Sequence, residues 1–327
     1  MAQVAHEIGE APVGGVPSGE PGGQIIGRSP WQLFWRRFKQ DKLAIAGIFV
    51  IIFVLLLAIF AGVISNIVGH GPNDVYLRQE TNEVGLPKGP GGGFWFGADT
   101  AGRDEFVRVL YGARTSLTIA FLATGMAVVI GVAIGLAAGF YRGKVDTFLS
   151  RVTDVVMTLP ILVLALGLVS ACGATPKGCL WGILTPGLRM VTLIIGFFSW
   201  PYIARIVRGQ VLSLREKEFV EAARAQGAGN IRIMVREILP NVVAPILVYT
   251  TLIIPNNVLF EAALSFLGVG VPPTTPSWGR MLSDAGTLFT VAWWLMLFPG
   301  LFLFLTTLSF NLVGDGLRDA LDPRTGR

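Results

Sequence analysis

Glu221-Ala222-Ala223-Arg224-Ala225-Gln226-Gly227, running on to Ile238-Leu239-Pro240, is the stretch on which the reading of this chain turns. It is a polar, helix-forming island broken at Gly227, set between two long apolar runs. Neither run is soluble, and the island does not suit lipid. It is therefore a loop at a membrane surface, held by the helices on either side.

Working outward, 52% of the 327 residues are hydrophobic and only 14% charged, with a mean hydropathy of +0.62. Soluble domains carry about 25% charged residues. The apolar stretches are about 20 residues long, enough to cross a hydrocarbon core of about 30 Å. The expected class is an all-α membrane protein with six transmembrane helices: about 43–65, 116–141, 148–170, 190–211, 241–269 and 291–313. Pro160, Pro201, Pro245, Pro255 and Pro299 interrupt these spans, which suits helices that must open and close. Gly131, Gly135 and Gly139 share one face of the second span, a pattern for close helix packing.

Orientation follows from Lys and Arg. With the N-terminus inside, 18 of the 26 basic residues fall on the cytoplasmic side, including Arg36, Arg37, Arg142, Arg205, Arg208, Arg215, Lys217, Arg224 and Arg318. The remaining eight lie mostly in the long first loop. Both termini and the island are then cytoplasmic, and Trp278, Trp293 and Trp294 mark the outer interface. The net charge of +5 reports orientation, not nucleic-acid binding.

The expected organisation begins with a disordered or regulatory tail over 1–27, rich in Gly, Pro, Ala and Glu, with no signal peptide. Residues 28–114 hold a basic amphipathic segment (Trp31 to Lys42), the first span and a long extracytoplasmic loop. The core occupies 115–315, with the island at 212–240, and 316–327 form a cytoplasmic tail. Cys172 and Cys179 fall on the outer side. They form a disulfide, which an oxidising compartment permits, or remain two loop thiols.

Catalytic chemistry is sparse. The two histidines, His6 and His70, cannot build a metal cluster. There is no nucleophile elbow and no Walker A; Phe96 to Asp104 lacks the Gly-Lys-Ser/Thr ending of a phosphate loop. Glu261 lies in the fifth span one turn beyond Asn257, on the same face. It is read as a buried hydrogen-bonding residue or outer gate, against the alternative of a proton or substrate site. The island itself reads as two short helices, Glu218 to Gln226 and Ile231 to Ile238, joined by a glycine turn into a cytoplasmic knob. Phe219 and Val220 are expected to be exposed apolar anchors for a protein partner.

Glu-Ala-Ala, three residues, Gly, then Ile-Leu-Pro resembles the EAA signature of bacterial ABC importer permeases. Phe96-Gly97-Ala98-Asp99 with Gly102-Arg103-Asp104, Arg108, Gly112, Arg114 and Ser116-Leu117 is similar to the dipeptide/oligopeptide/nickel subfamily. So are Leu264-Ser265-Phe266-Leu267-Gly268, Pro276-Ser277-Trp278-Gly279, and the tail from Asn311 to Arg324. Ala98 departs from the usual Thr. The one-long-loop layout looks like the C-type member of paired permeases. The resemblance implies a type I ABC importer permease fold in the bacterial inner membrane, forming half of a pathway for di- or oligopeptides, or alternatively nickel or another small solute. It implies no cofactor on this chain, with ATP and Mg bound by two partner ATPases. The other implied partners are a second homologous permease, an extracytoplasmic substrate-binding protein and membrane lipid. Glu221, Ala222, Ala223 and Gly227 then face an ATPase. A self-sufficient secondary transporter is the competing reading.

Overall fold

A computed structural model describes residues 30–82, 85–173 and 178–321. The expected 1–27 tail and the last six residues lie outside these. The described part is helical, with only isolated bridges in the loops.

Helix α1 (Pro30–Phe38) leads into α2 (Lys42–Val68). Asp41 starts α2 because its carboxylate accepts the free amides of Leu43 and Ala44 at 2.9 and 3.0 Å. After a single turn, α3 (Leu77–Glu80), comes α4 (Glu105–Tyr141), whose 37 residues extend about 55 Å, well beyond a hydrocarbon core. Asp104 caps it through the amides of Phe106 and Val107. Helices α5 (Gly143–Thr158) and α6 (Ile161–Gly173) meet at a 78° bend. The remainder is α7 (Leu188–Leu214), α8 (Glu218–Ala225), α9 (Asn230–Arg232), α10 (Leu239–Phe266), α11 (Trp278–Ala285) and α12 (Trp294–Leu321).

Among the described residues, five unbroken helices are long and apolar enough to cross a membrane, and the bent α5–α6 pair makes the sixth. The third span, expected to be interrupted at Pro160, is broken there. Pro160 offers no amide, and the residue before a proline is pushed to extended backbone; Leu159 sits at φ −69°, ψ 131°. The 13 residues of α6 reach only about 20 Å. The C-terminal segment expected as a tail from residue 316 is helical up to Leu321.

Side-chain fit sets the order of the bundle. A Cβ at Gly135 meets Ala204 O and Val207 Cβ at 2.7 Å, and one at Gly139 meets Val211 Cβ at 2.7 Å. Only glycine lets α4 lie this close to α7, so the three-glycine face packs as expected. At the inner end Phe34, Phe38, Ala44 and Ala320 cluster, tying α1, α2 and α12 together. At the outer end Trp294 donates its indole N–H to Ala98 O (3.1 Å) and Trp278 to Val109 O (3.2 Å). Trp278 and Trp294 are buried and only Trp293 is exposed. Two of the three expected interfacial tryptophans are therefore internal struts, because each indole N–H finds a carbonyl inside the fold.

The Phe96–Asp104 motif belongs to this outer cap. Asp99 takes Arg103 Nε at 2.6 Å and pairs with Arg108 Nε at 3.2 Å, while Asp104 meets His70 Nδ1 at 2.8 Å. Phe96 stacks on Phe298 with centroids 3.8 Å apart. Buried ion pairs joined to one helix cap fix where α2 ends, α4 begins and α12 starts. Cys172 and Cys179 are joined as a disulfide that closes the α6 end onto this side.

Candidate functional site

The island is built around α8. Its last turn closes with the amide of Ala228 on Ala223 O (3.0 Å) and that of Gly227 on Arg224 O (2.9 Å). These are the two bonds of a Schellman stop, which needs a left-handed residue between them. Gly227 has φ +80°, and a Cβ there meets nothing within 4 Å. The glycine is required by its backbone angle, not by space.

Val220 is fully buried among Phe140, Val211, Ile233, Ile238 and Val242. The expected exposed anchor is instead the plug that seats α8 on the end of the bundle. An isolated valine in a polar stretch reads as exposed until the apolar end of the bundle beneath it is known. Arg224 lies over the Phe140 ring at 5.6 Å, and Arg215 donates to Phe140 O. Arg142 and Glu216 pair at 2.7 Å. With its base fixed, α8 turns Glu218, Phe219, Glu221 and Ala222 outward, together with Gln226 and Gly227; Ala223 is half-buried.

The second arm of the expected knob is absent as a separate helix. Asn230 starts a continuous helix to Phe266, through α9, a π-helical stretch at Ile233–Ile238 and α10. Pro240 sits inside its course where a π stretch has already displaced the hydrogen-bond ladder. The island is one short helix leaning on the inner end of a span.

Higher on α10 lies a polar ladder. Asn257 donates to Thr124 Oγ1 of α4 (2.8 Å) and accepts from Ser199 Oγ of α7 (3.0 Å). Glu261, with no exposed surface, accepts from Ser116 Oγ of α4 (2.8 Å) and Ser265 Oγ (2.7 Å). Ser116 Oγ in turn accepts the amide of Trp278 at 3.4 Å. The ladder joins α4, α7, α10 and α11, which places Glu261 in a hydroxyl-lined knot inside the bundle. Asn257 also borders a cavity of ≈ 610 Å³ shared with Ser199, Tyr202, Tyr249, Asn256 and Arg318. Met157 and Ile161, on either side of the α5–α6 break, line it too. Sequence reasoning missed Tyr202, Tyr249 and Arg318. Tyr249, Asn256 and Asn257 recur at helical spacing on one face of an apolar span, which is the signal that could have found two of the walls.

Comparison with known proteins agrees with this architecture. Residues 131–327 match the model of the family described as "Binding-protein-dependent transport system inner membrane component", and residues 29–83 match the N-terminal transmembrane domain of oligopeptide transport permease C. The chain is 41% identical over 304 residues to the dipeptide transport system permease protein DppC of Alkalihalophilus pseudofirmus, covering 93% of each chain. It is 39% identical over 297 residues to the glutathione transport system permease protein GsiD of Escherichia coli, covering 91% of each. An inward-facing structure of the MetNI methionine ABC transporter shares the fold, with a TM-score of 0.54 at 19% identity over 66% of this chain and 96% of that one. The chain belongs to the binding-protein-dependent inner-membrane components: it is a multi-pass permease of an ABC importer.

Proposed function

We propose that this permease is one of two different membrane subunits of an importer for di- or oligopeptides, driven by two cytoplasmic ATPases and fed by an extracytoplasmic binding protein. ATP and Mg are held and ATP is hydrolysed on the ATPases, and this chain turns their closure into movement of the spans. The observation that carries the reading is α8. A two-turn helix is pinned from beneath by Val220 and presents Glu218, Phe219, Glu221 and Ala222 to the cytoplasm. Small side chains allow close approach to a groove, and Glu221 supplies an anion for a cation on the ATPase. The ≈ 610 Å³ cavity beside Asn257 is this subunit's half of the pathway. Its hydroxyl and amide groups match the donors and acceptors of a peptide backbone. The names of the dipeptide and glutathione relatives support a peptide over nickel.

Cells lacking the gene and complemented with it are assayed for uptake of labelled di- and oligopeptides and of nickel. Restored peptide uptake is expected, and restoration of nickel uptake alone refutes the substrate. Glu221→Lys should abolish uptake at an unchanged membrane level, with the ATPases no longer co-purifying. Normal uptake by this variant refutes the coupling role, and uptake by the chain alone on an ion gradient restores the secondary-transporter reading.

A further inference from the structure

Arg114 lies nine residues into α4, about 13 Å along the helix from its outer end. Its depth is fixed by neighbours. A Cβ at Gly62 of α2 lies 3.6 Å from the Tyr111 hydroxyl, and Arg114 shares a groove of ≈ 400 Å³ with Leu55, Ala58 and Ile59 of α2. Beyond that level α2 still turns Val63 and Ile67 outward, and it carries no charge after Lys42. Arg114 is exposed on this face and has no ion-pair partner among the described residues. A cation at such depth is costly unless it meets a counter-charge or reaches the interface.

The groove continues as a stripe down α4: Arg114, Thr118, Leu122, Gly125 and Val129 are all exposed at helical spacing. Gly125 opens onto empty space. A separate, buried face of α4 is committed to α7 through Gly131, Gly135 and Gly139. The cavity assigned to the pathway is walled by other helices and shares no residue with the groove. Among the described residues, a second copy of this chain presents no free carboxylate in its spans at this depth. In the outer half of its spans the carboxylate below the cap is Glu261, enclosed by hydroxyls with no exposed surface.

We propose that the α2–α4 groove receives a membrane helix of the second, different permease, and that this helix sets a carboxylate against Arg114. The inference rests on the two-permease reading and names the surface that joins them. Small and polar residues allow the close helix approach that drives association in lipid, and the charge pair selects the partner and its register.

The test uses the assembled transporter in its membrane, with p-benzoylphenylalanine replacing Thr118. Irradiation should join this chain to the second permease, at a site within one helical turn of an Asp or Glu in a span. Arg114→Glu, at unchanged membrane level, should lower the second permease recovered with this chain by roughly tenfold or more. Changing the identified carboxylate to Arg should restore it. Adducts with lipid only, adducts with a second copy of this chain, or unchanged recovery with Arg114→Glu each overturn the proposal. If the unaltered chain recovers no second permease, the two-permease reading itself fails; if it does and the groove variants behave normally, only the groove assignment fails.

Discussion

Gly227→Pro tests the proposed coupling role of α8 most directly. Proline fixes φ near −65°, whereas the native angle is +80°. It also removes the amide that bonds Arg224 O at 2.9 Å. Reaching the left-handed region costs an ordinary residue about 1–2 kcal/mol, and the lost hydrogen bond about 0.5–1.5 kcal/mol. Proline cannot reach that angle at all, so their sum, about 1.5–3.5 kcal/mol, is a floor. Since 1.4 kcal/mol is tenfold, the equilibrium constant for forming α8 falls by at least about 10- to 300-fold. The helix has only eight residues and little reserve of its own, while the α4–α7 packing is untouched. The expected result is normal membrane insertion with peptide uptake close to background. The companions sharpen it. Asn tolerates the left-handed region and should retain most uptake, and Ala should fall between. Membrane level by immunoblot and uptake in inverted or intact vesicles are the readouts. Full uptake by Gly227→Pro refutes the reasoning. An Asn variant as inactive as Pro also refutes it, because the glycine is then needed for room against the ATPase and not for its angle.

Gly135→Ala should destabilise the solubilised chain by about 1–3 kcal/mol through overpacking, since its Cβ meets Ala204 O at 2.7 Å. Gly209→Ala, on an open helix face, should be neutral or slightly stabilising, and thermal unfolding of the two variants checks the sign. Glu261→Gln should be tolerated far better than Glu261→Leu, which strands the Ser116 and Ser265 hydroxyls at a cost of about 1–3 kcal/mol each; equal unfolding temperatures would contradict the hydroxyl-lined knot. Cys172 and Cys179 should react with a membrane-impermeant maleimide only after reduction, and labelling of the untreated protein refutes the bond. Val220→Ala should weaken coupling more than Phe219→Ala weakens the fold, because Val220 seats α8 while Phe219 points away; the comparison is uptake against membrane level for each variant.

Length and hydropathy sufficed to place the spans and their order, because about 20 apolar residues have few alternatives in a bilayer. The three-glycine face was legible for the same kind of reason: small residues four apart have one main use in a membrane helix. What failed were features set by tertiary neighbours. Val220 and Trp278 look like surface residues when read locally, yet each finds an apolar socket or a carbonyl supplied by distant chain. Pro160 announced an irregularity but not its size, since the 78° bend depends on what α5 can pair with. Its partners are Arg208 and Arg205 of α7, reached by Asp146 and Asp154. The π stretch at Ile233–Ile238 has no composition of its own. The cavity walls come from five helices, and no single segment announces a shared surface.

The continuous helix from Asn230 to Phe266 has a mechanical consequence. Its 37 residues span about 55 Å, from the socket that holds Val220 to the hydroxyls around Glu261. A displacement of α8 cannot remain local, because Ile233 and Ile238 pass it into this rod. The π stretch, Pro245 and Pro255 each interrupt the backbone ladder, giving three yield points at three heights. Two lie below the cavity wall at Asn256 and Asn257 and one adjoins it. If α8 takes up the motion of the ATPases as proposed, the rod is a relay with graded stiffness: input at the cytoplasmic end, compliance beside the proposed pathway, and an output that moves with the outer knot.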